Sequence, residues 1–239
     1  MCRMIAVPRG TPGSHVLEPF ARMAQGMNAV NEWNETLGTW PHPDGWGGVH
    51  AFGTRDRALH SLEACWVDPQ LETLADQMVV LLHARKASVG AVNLENVHPF
   101  QAEIDGANWT FSHNGTVHQQ LETPCTLSKP EPTDSEIVFH RLWPYIRKGQ
   151  VLEGFREVYA SIRDYSGLNT FLLGPEVLWV VCLHRDTPDY FTLHLGLGPT
   201  GPIVSSEPLP ELASAFEPIP NREILRIDRL NGSIDRYQL

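Results

Sequence analysis

Chemistry is first readable at Cys2, with the apolar run Met4-Ile5-Ala6-Val7 just behind it. Once Met1 is removed, which a small second residue permits, Cys2 carries a thiol and a free α-amine on one residue. The thiolate is a strong nucleophile. An α-amine with a reference pKa of about 7.7–8.0 is partly unprotonated near neutral pH and can act as its base, so no separate catalytic histidine is needed. Arg85, in His83-Ala84-Arg85-Lys86-Ala87-Ser88, stands where a buried apolar run stops and a loop begins. A guanidinium there offers a planar fork to a carboxylate, with the Ser88 hydroxyl beside it. A structural arginine paired with an internal carboxylate fits those letters equally well. Asn114 and Gly115, in Phe111-Ser112-His113-Asn114-Gly115, offer an amide donor and an approachable backbone N–H, the parts of an oxyanion hole. A plain Asn-Gly turn has the same letters. Asp134, in Thr133-Asp134-Ser135-Glu136, is not needed for the capping box that Thr133 and Glu136 can form. The helix dipole alone would account for it, and it is also placed to bind an ammonium group. Taken together, these groups describe a substrate that is an α-amino acid bearing an acyl group open to attack.

The elements that must hold these residues follow from the pattern. Met4 to Val7 reads as a buried strand that keeps the terminus still, and Arg9 to Gly13 as a turn. Leu17, Phe20, Met23, Ala24, Met27 and Val30 recur at helical steps. Gly48 to Gly53, Arg57 to His60, Gln77 to Arg85 and Asn108 to Ser112 read as strands, with His113-Asn114-Gly115 at the end of the last. Asp68-Pro69 starts a helix, and Lys86 to Gln101 reads as a long loop. A helix opens at Thr133 and should end or kink at Pro144; a second covers Val151 to Arg163. Leu168 to Leu173, Val177 to Leu183, Tyr190 to Leu195 and Pro202 to Ser205 read as strands. Asn231-Gly232 joins Glu223–Arg229 to Ser233–Tyr237 as a hairpin. Consecutive strands with few helices favour hairpins over crossovers, hence mixed α and β with antiparallel sheets packed in layers.

Composition narrows the function classes. The chain has 239 residues and a net charge of −10 with its acidic groups scattered, which disfavours nucleic acid and anionic membrane as partners. No apolar run approaches the roughly 18 residues of a transmembrane helix, and no basic stretch followed by an apolar one marks a signal peptide. Cys2, Cys65, Cys125 and Cys182 lie far apart without a C-x-x-C pair, which fits free thiols in a reducing cytoplasm. Among the eleven histidines, His42, His50, His60, His113, His118, His184 and His194 make no helical i,i+4 pair and no Cys/His ligand spacing. A metal enzyme is therefore not expected.

With these residues in view, the chain resembles class II (N-terminal-nucleophile, Ntn) glutamine amidotransferase domains nearly end to end. Cys2, Asp44-Gly45-Trp46-Gly47, Arg85-x-Ala87-Ser88, His98-Pro99-Phe100, His113-Asn114-Gly115, Asp134 and Ser205-Ser206-Glu207-Pro208 carry the likeness in order. The resemblance implies one domain over residues 1–239 and an α+β fold, a four-layer αββα sandwich with two antiparallel sheets. It implies Cys2 as nucleophile and Asn114 and Gly115 as the oxyanion hole. Arg85, with Ser88 beside it, would bind the glutamine α-carboxylate and Asp134 its α-amine; no cofactor or metal is implied. Because the chain reaches only Leu239, just after the hairpin, the stand-alone branch is expected: a cytoplasmic amidohydrolase acting on glutamine or a γ-glutamyl amide. Two alternatives stand beside it. One is a glutaminase subunit feeding ammonia to a separate synthase, the other a catalytically silent glutamine-binding module. A synthase partner or a homo-oligomer is compatible with the resemblance.

Overall fold

Strict alternation in the first strand sorts its side chains to two faces, and both faces are buried. Ile5 and Val7 pack under a helix, whereas Met4 and Ala6 point into a second sheet. The computed structural model describes residues 1–27, 32, 36, 38–52 and 55–239. In chain order the elements are β1 (Cys2–Pro12), α1 (Gly13–Ala24), β2 (Trp46–Phe52), β3 (Arg55–Ser61), a short α2 (Pro69–Glu72) and β4 (Met78–Arg85). A single 3-10 turn (Leu94–Asn96) precedes β5 (Phe100–Ile104) and β6 (Ala107–Val117). Then come α3 (Asp134–Arg147), α4 (Val151–Ala160), β7 (Tyr165–Leu173), β8 (Val177–Cys182) and a short α5 (Pro188–Phe191). The chain closes with β9 (His194–Gly198), β10 (Gly201–Ser205), β11 (Phe216–Pro218), β12 (Glu223–Asp228) and β13 (Ile234–Gln238).

One sheet runs β11-β9-β10-β1-β4-β2-β3 and the other β13-β12-β8-β7-β6-β5, with antiparallel pairing. Three apolar layers hold the stack. Val16, Phe20 and Met23 of α1 pack on the outer face of the first sheet. Val138, Leu142 and Phe155 of α3 and α4 pack on the outer face of the second. Phe171, Val180 and Leu225 meet Met4, Ala6 and Leu81 between the sheets. This is the expected α+β sandwich, in four layers ordered αββα.

Several local expectations are corrected. No turn breaks the chain at Arg9–Gly13. β1 continues to Pro12 across a register shift between Ala6 and Thr11, with Gly10 at φ 79° taking the left-handed step. α1 stops at Ala24, so Met27 lies beyond it and exposed, while Val30 and Gly53 fall outside the described residues. The presumed long loop after Lys86 ends in β5, whose hairpin with β6 begins at Phe100. β6 runs through His113-Asn114-Gly115 to Val117 instead of ending before them. Of the two outcomes expected at Pro144, an end or a kink, the end does not occur: α3 continues past it to Arg147, with Leu142 and Ile146 buried on either side. α4 stops at Ala160, three residues short of Arg163. Tyr190 and Phe191 belong to α5, set by Pro188 in its first turn, and the strand starts only at His194.

The capping box at α3 forms as its spacing requires. Glu136 N donates to Thr133 Oγ1 at 3.2 Å, and Thr133 N donates to Glu136 Oε2 at 2.8 Å. Thr133→Ala should therefore cost about 1 kcal/mol of stability, read as a lower urea midpoint with an unchanged slope. An unshifted midpoint would show that packing alone sets this helix start.

Candidate active site

Register decides which side chains meet. Cys2 pairs with Arg85 and Met4 with His83 across β1 and β4, so Cys2, His83 and Arg85 share the face turned to the other sheet. In β6, Ser112 pairs with Phe171 and Asn114 with Asn169; Phe171 belongs to the layer between the sheets, so Asn114 faces that layer too. His113 points the other way, to the helices.

Cys2 is buried at the end of this layer, and its main chain is held at two points. Its N–H donates to Asn114 Oδ1 at 2.6 Å, bridging the sheets. Its carbonyl lies 3.2 Å from the Tyr190 hydroxyl. That hydroxyl is also 2.8 Å from His42 Nε2, and His42 Nδ1 lies 3.1 Å from the Ala24 carbonyl. A neutral His42 that donates from Nδ1 leaves Nε2 as an acceptor, so the tyrosine proton is shared between His42 and Cys2 O. Arg3 completes this cluster. Its guanidinium is 4.0 Å over the Tyr190 ring, donates to Tyr190 O at 2.9 Å and pairs with Glu207 at 2.7 Å, both charges being buried. Asn114 Nδ2 is buried and has no partner among the described residues.

Gly115 has φ 153° at the register shift between β6 and β7, and a Cβ there would collide with the Gly167 carbonyl. Arg85 is buried, with its guanidinium donating to Val89 O at 3.0 Å and Ala91 O at 3.2 Å. No carboxylate pairs with it among the described residues. Its strand end is clamped by Asp44. Asp44 N donates to Arg85 O at 3.0 Å, Arg85 N to Gly45 O at 2.8 Å and Ala87 N to Asp44 Oδ2 at 2.8 Å. Ser88 Oγ bonds Thr116 Oγ1 at 2.7 Å. Asp134, in the first turn of α3, accepts Val117 N at 2.8 Å and Ser135 N at 2.8 Å. His113 ties this corner together: its Nε2 lies 3.1 Å from Gly167 O and its Nδ1 2.8 Å from Ser135 Oγ. Burial holds the His113 imidazole below its ordinary range, against the pull of Asp134.

One small cleft collects Cys2, Arg85, Ser88, Gly115 and Asp134 in its walls, with Met1 as a further wall. Asn114 lies just behind it. The Met1 amine donates to Lys86 O at 2.7 Å and lies 3.5 Å from Ser88 Oγ. All six site residues expected from the sequence thus converge. Those to which it gave no role are Tyr190, His42, Arg3, His83 and Asp44. Of these, Asp44 stood in Asp44-Gly45-Trp46-Gly47 and His83 in the stretch from His83 to Ser88.

A model of the family described as glutamine amidotransferases, class II, matches residues 33–185. The chain belongs to that family. An Escherichia coli K12 protein provisionally named as the glutamine amidotransferase YafJ is 39% identical over 108 residues, covering 43% of this chain and 42% of its own. A Haemophilus influenzae protein provisionally named as a glutamine amidotransferase is 28% identical over 196 residues, covering 76% and 62%. The matches therefore span less than two thirds of these relatives' lengths. In fold, the chain resembles glutamine phosphoribosylpyrophosphate amidotransferase from Bacillus subtilis, with TM-score 0.66 and 12% identity over 100% of this chain and 49% of that one. A Pseudomonas aeruginosa protein described as a predicted glutamine amidotransferase gives TM-score 0.56 and 22% identity, over 84% of this chain and 90% of that one. The four-layer sandwich is thus the Ntn-hydrolase fold.

Burial, and then the Arg3 charge, keeps the His42 imidazole well below its ordinary range. The folded state leaves it neutral while the unfolded chain gains a proton below about pH 6.5, so stability falls as pH drops through that value. His42→Gln should flatten this decline between about pH 6.5 and 5 by up to about 1.4 kcal/mol per pH unit. Urea titrations at several pH values measure it, and parallel slopes would mean that His42 is protonated in the folded protein.

Proposed function

We propose that this chain is an amidohydrolase of the N-terminal-nucleophile type, acting on the side-chain amide of glutamine or of a γ-glutamyl compound after Met1 is removed. The observation that carries the reading is the bond from Cys2 N to Asn114 Oδ1 at 2.6 Å, with Asn114 Nδ2 buried and unpartnered beside it. One amide side chain thereby holds the nitrogen that becomes the α-amine and keeps an unengaged donor on its other arm. An unsatisfied buried donor is costly unless something else engages it, and a developing oxyanion is such a group.

In this reading the Cys2 sulfur bonds to the amide carbon while its proton passes to the Cys2 α-amine. The oxyanion accepts from Asn114 Nδ2–H and Gly115 N–H. The C–N bond then breaks, and the departing ammonia or amine takes the proton back. Water attacks the γ-glutamyl thioester, releasing a carboxylic acid and restoring the thiol. Arg85 would receive the substrate α-carboxylate and Asp134 its ammonium, with Ser88 contributing a hydroxyl. That Arg85 is buried with only loop carbonyls as partners supports its share of this scheme.

Two measurements test the reading. Intact mass before and after incubation with a glutamine-mimicking diazoketone should show loss of Met1 and one adduct on Cys2; retained Met1 without an adduct would overturn the reading. Asn114→Ala should lower turnover of a γ-glutamyl amide by about 10²–10³, the usual size for one oxyanion donor. Wild-type turnover in that variant would remove the oxyanion assignment.

A further inference from the structure

The layer between the sheets also holds two histidines that the hydrolytic scheme does not use. His83, on β4, and His98, in the loop before β5, are both buried. One donor atom from each, together with the Cys2 sulfur, forms a set in which all three atoms lie within 4.8 Å of one another. The two rings meet edge to face with centroids 4.5 Å apart, and His98 Nδ1 is 2.9 Å from His83 Nε2.

We infer that Cys2, His83 and His98 form a binding site for a borderline-soft divalent cation of the Zn²⁺ class, which captures the nucleophilic thiol. The donor set is one sulfur and two imidazoles, with no carboxylate among the three. Such donors select Zn²⁺-like ions over Mg²⁺ or Ca²⁺, which take oxygen ligands. Around a tetrahedral Zn²⁺, with bonds of about 2.0–2.3 Å, neighbouring donors stand roughly 3.3–3.7 Å apart. No pair of the three atoms needs to close by more than about 1.5 Å to reach that spacing, and the two facing nitrogens, at 2.9 Å, need to open slightly, both within reach of side-chain rotation. His83 supplies a second sign. Its Nε2 faces His98 Nδ1 at 2.9 Å and the His113 carbonyl at 3.4 Å, so the two rings share one proton where a cation would sit. Its Nδ1 is buried with no partner among the described residues and can carry the ring proton when Nε2 binds a cation.

Access is also provided, because Cys2 and His98 both line the cleft. Three protein donors leave a fourth position open. On binding, the thiol gives its proton to solvent and the imidazoles bind as neutral donors. After Met1 removal, the Cys2 α-amine sits on the same residue as the thiolate and can close a five-membered chelate. Binding itself rests on the geometry alone, whereas loss of turnover on binding rests also on the function proposed above.

Co²⁺ added alone to the chelator-treated full chain provides the test. One Co²⁺ should bind per chain with a thiolate-to-cobalt charge-transfer band, and Zn²⁺ should displace it. The band should vanish when Cys2 is alkylated in the wild-type protein, and Cys125→Ser should leave it unchanged. His98→Gln should weaken Co²⁺ binding by at least about tenfold. No band, or a band that survives alkylation of Cys2, would overturn the site, and neither result depends on any variant folding. Stoichiometric Zn²⁺ should also lower hydrolysis of a γ-glutamyl amide at least about tenfold, reversibly with chelator. A band in a protein that hydrolyses no amide even without metal would support the cation site while removing the hydrolytic reading. Undiminished hydrolysis with Zn²⁺ bound would remove the capture of the nucleophile.

Discussion

The hydrogen bond from Cys2 N to Asn114 Oδ1 is the constraint on which the site depends. It crosses from one sheet to the other at the open end of the layer between them. Everything that fixes Cys2 depends in turn on the pairing of β1 with β4, and everything that fixes Asn114 on the pairing of β6 with β7. The apolar contacts of Met4 and Ala6 with Phe171 and Val180 hold the two sheets at the separation this bond requires. Packing at the middle of the sandwich thus sets geometry at its edge.

The second anchor is polar and fully buried. Arg3 and Glu207 sit inside the protein at almost no exposure, an arrangement whose desolvation penalty usually offsets its attraction. Here the guanidinium also covers the Tyr190 ring and binds its carbonyl, while the Tyr190 hydroxyl reaches Cys2 O. The pair is therefore better understood as a positioning device than as a source of stability. It holds a tyrosine that restrains the main chain of Cys2, the first residue of β1 and otherwise the part of a strand most prone to fray.

Much of the fold and of the site was legible in the sequence for a physical reason. Period-two patterns in β1, β7 and β8 and the capping box of α3 are local signals, and local signals survive without tertiary context. Cys2, Arg85, Asn114, Gly115 and Asp134 could be named as candidates because each sits beside a strand end, a glycine or a helix start, and the structure brings them together around one cleft. Tyr190, His42 and Arg3 could not, because their roles arise from contacts across more than a hundred residues of chain. The cluster of Cys2, His83 and His98 has no ligand spacing at all, since it joins the start of one strand, the body of another and a loop. Pro144 and Met27 misled in opposite senses: tertiary packing carried one helix past its proline, and another stopped before its apolar series ran out.

Three consecutive letters in β6 serve three different neighbourhoods. His113 reaches the helices, Asn114 the opposite sheet, and Gly115 the carbonyl of the adjoining strand. Because a strand repeats every two residues, gaining or losing one residue upstream would send Asn114 to the helical side and His113 into the sandwich. The stretch between Gln119 and Glu131 lies outside regular structure, so a change of length there leaves the pairing of β6 with β7 in register. Within β6 the same change does not. Length there works as a reading frame, and a frameshift of one residue would dismantle the site while leaving every one of its side chains in the sequence.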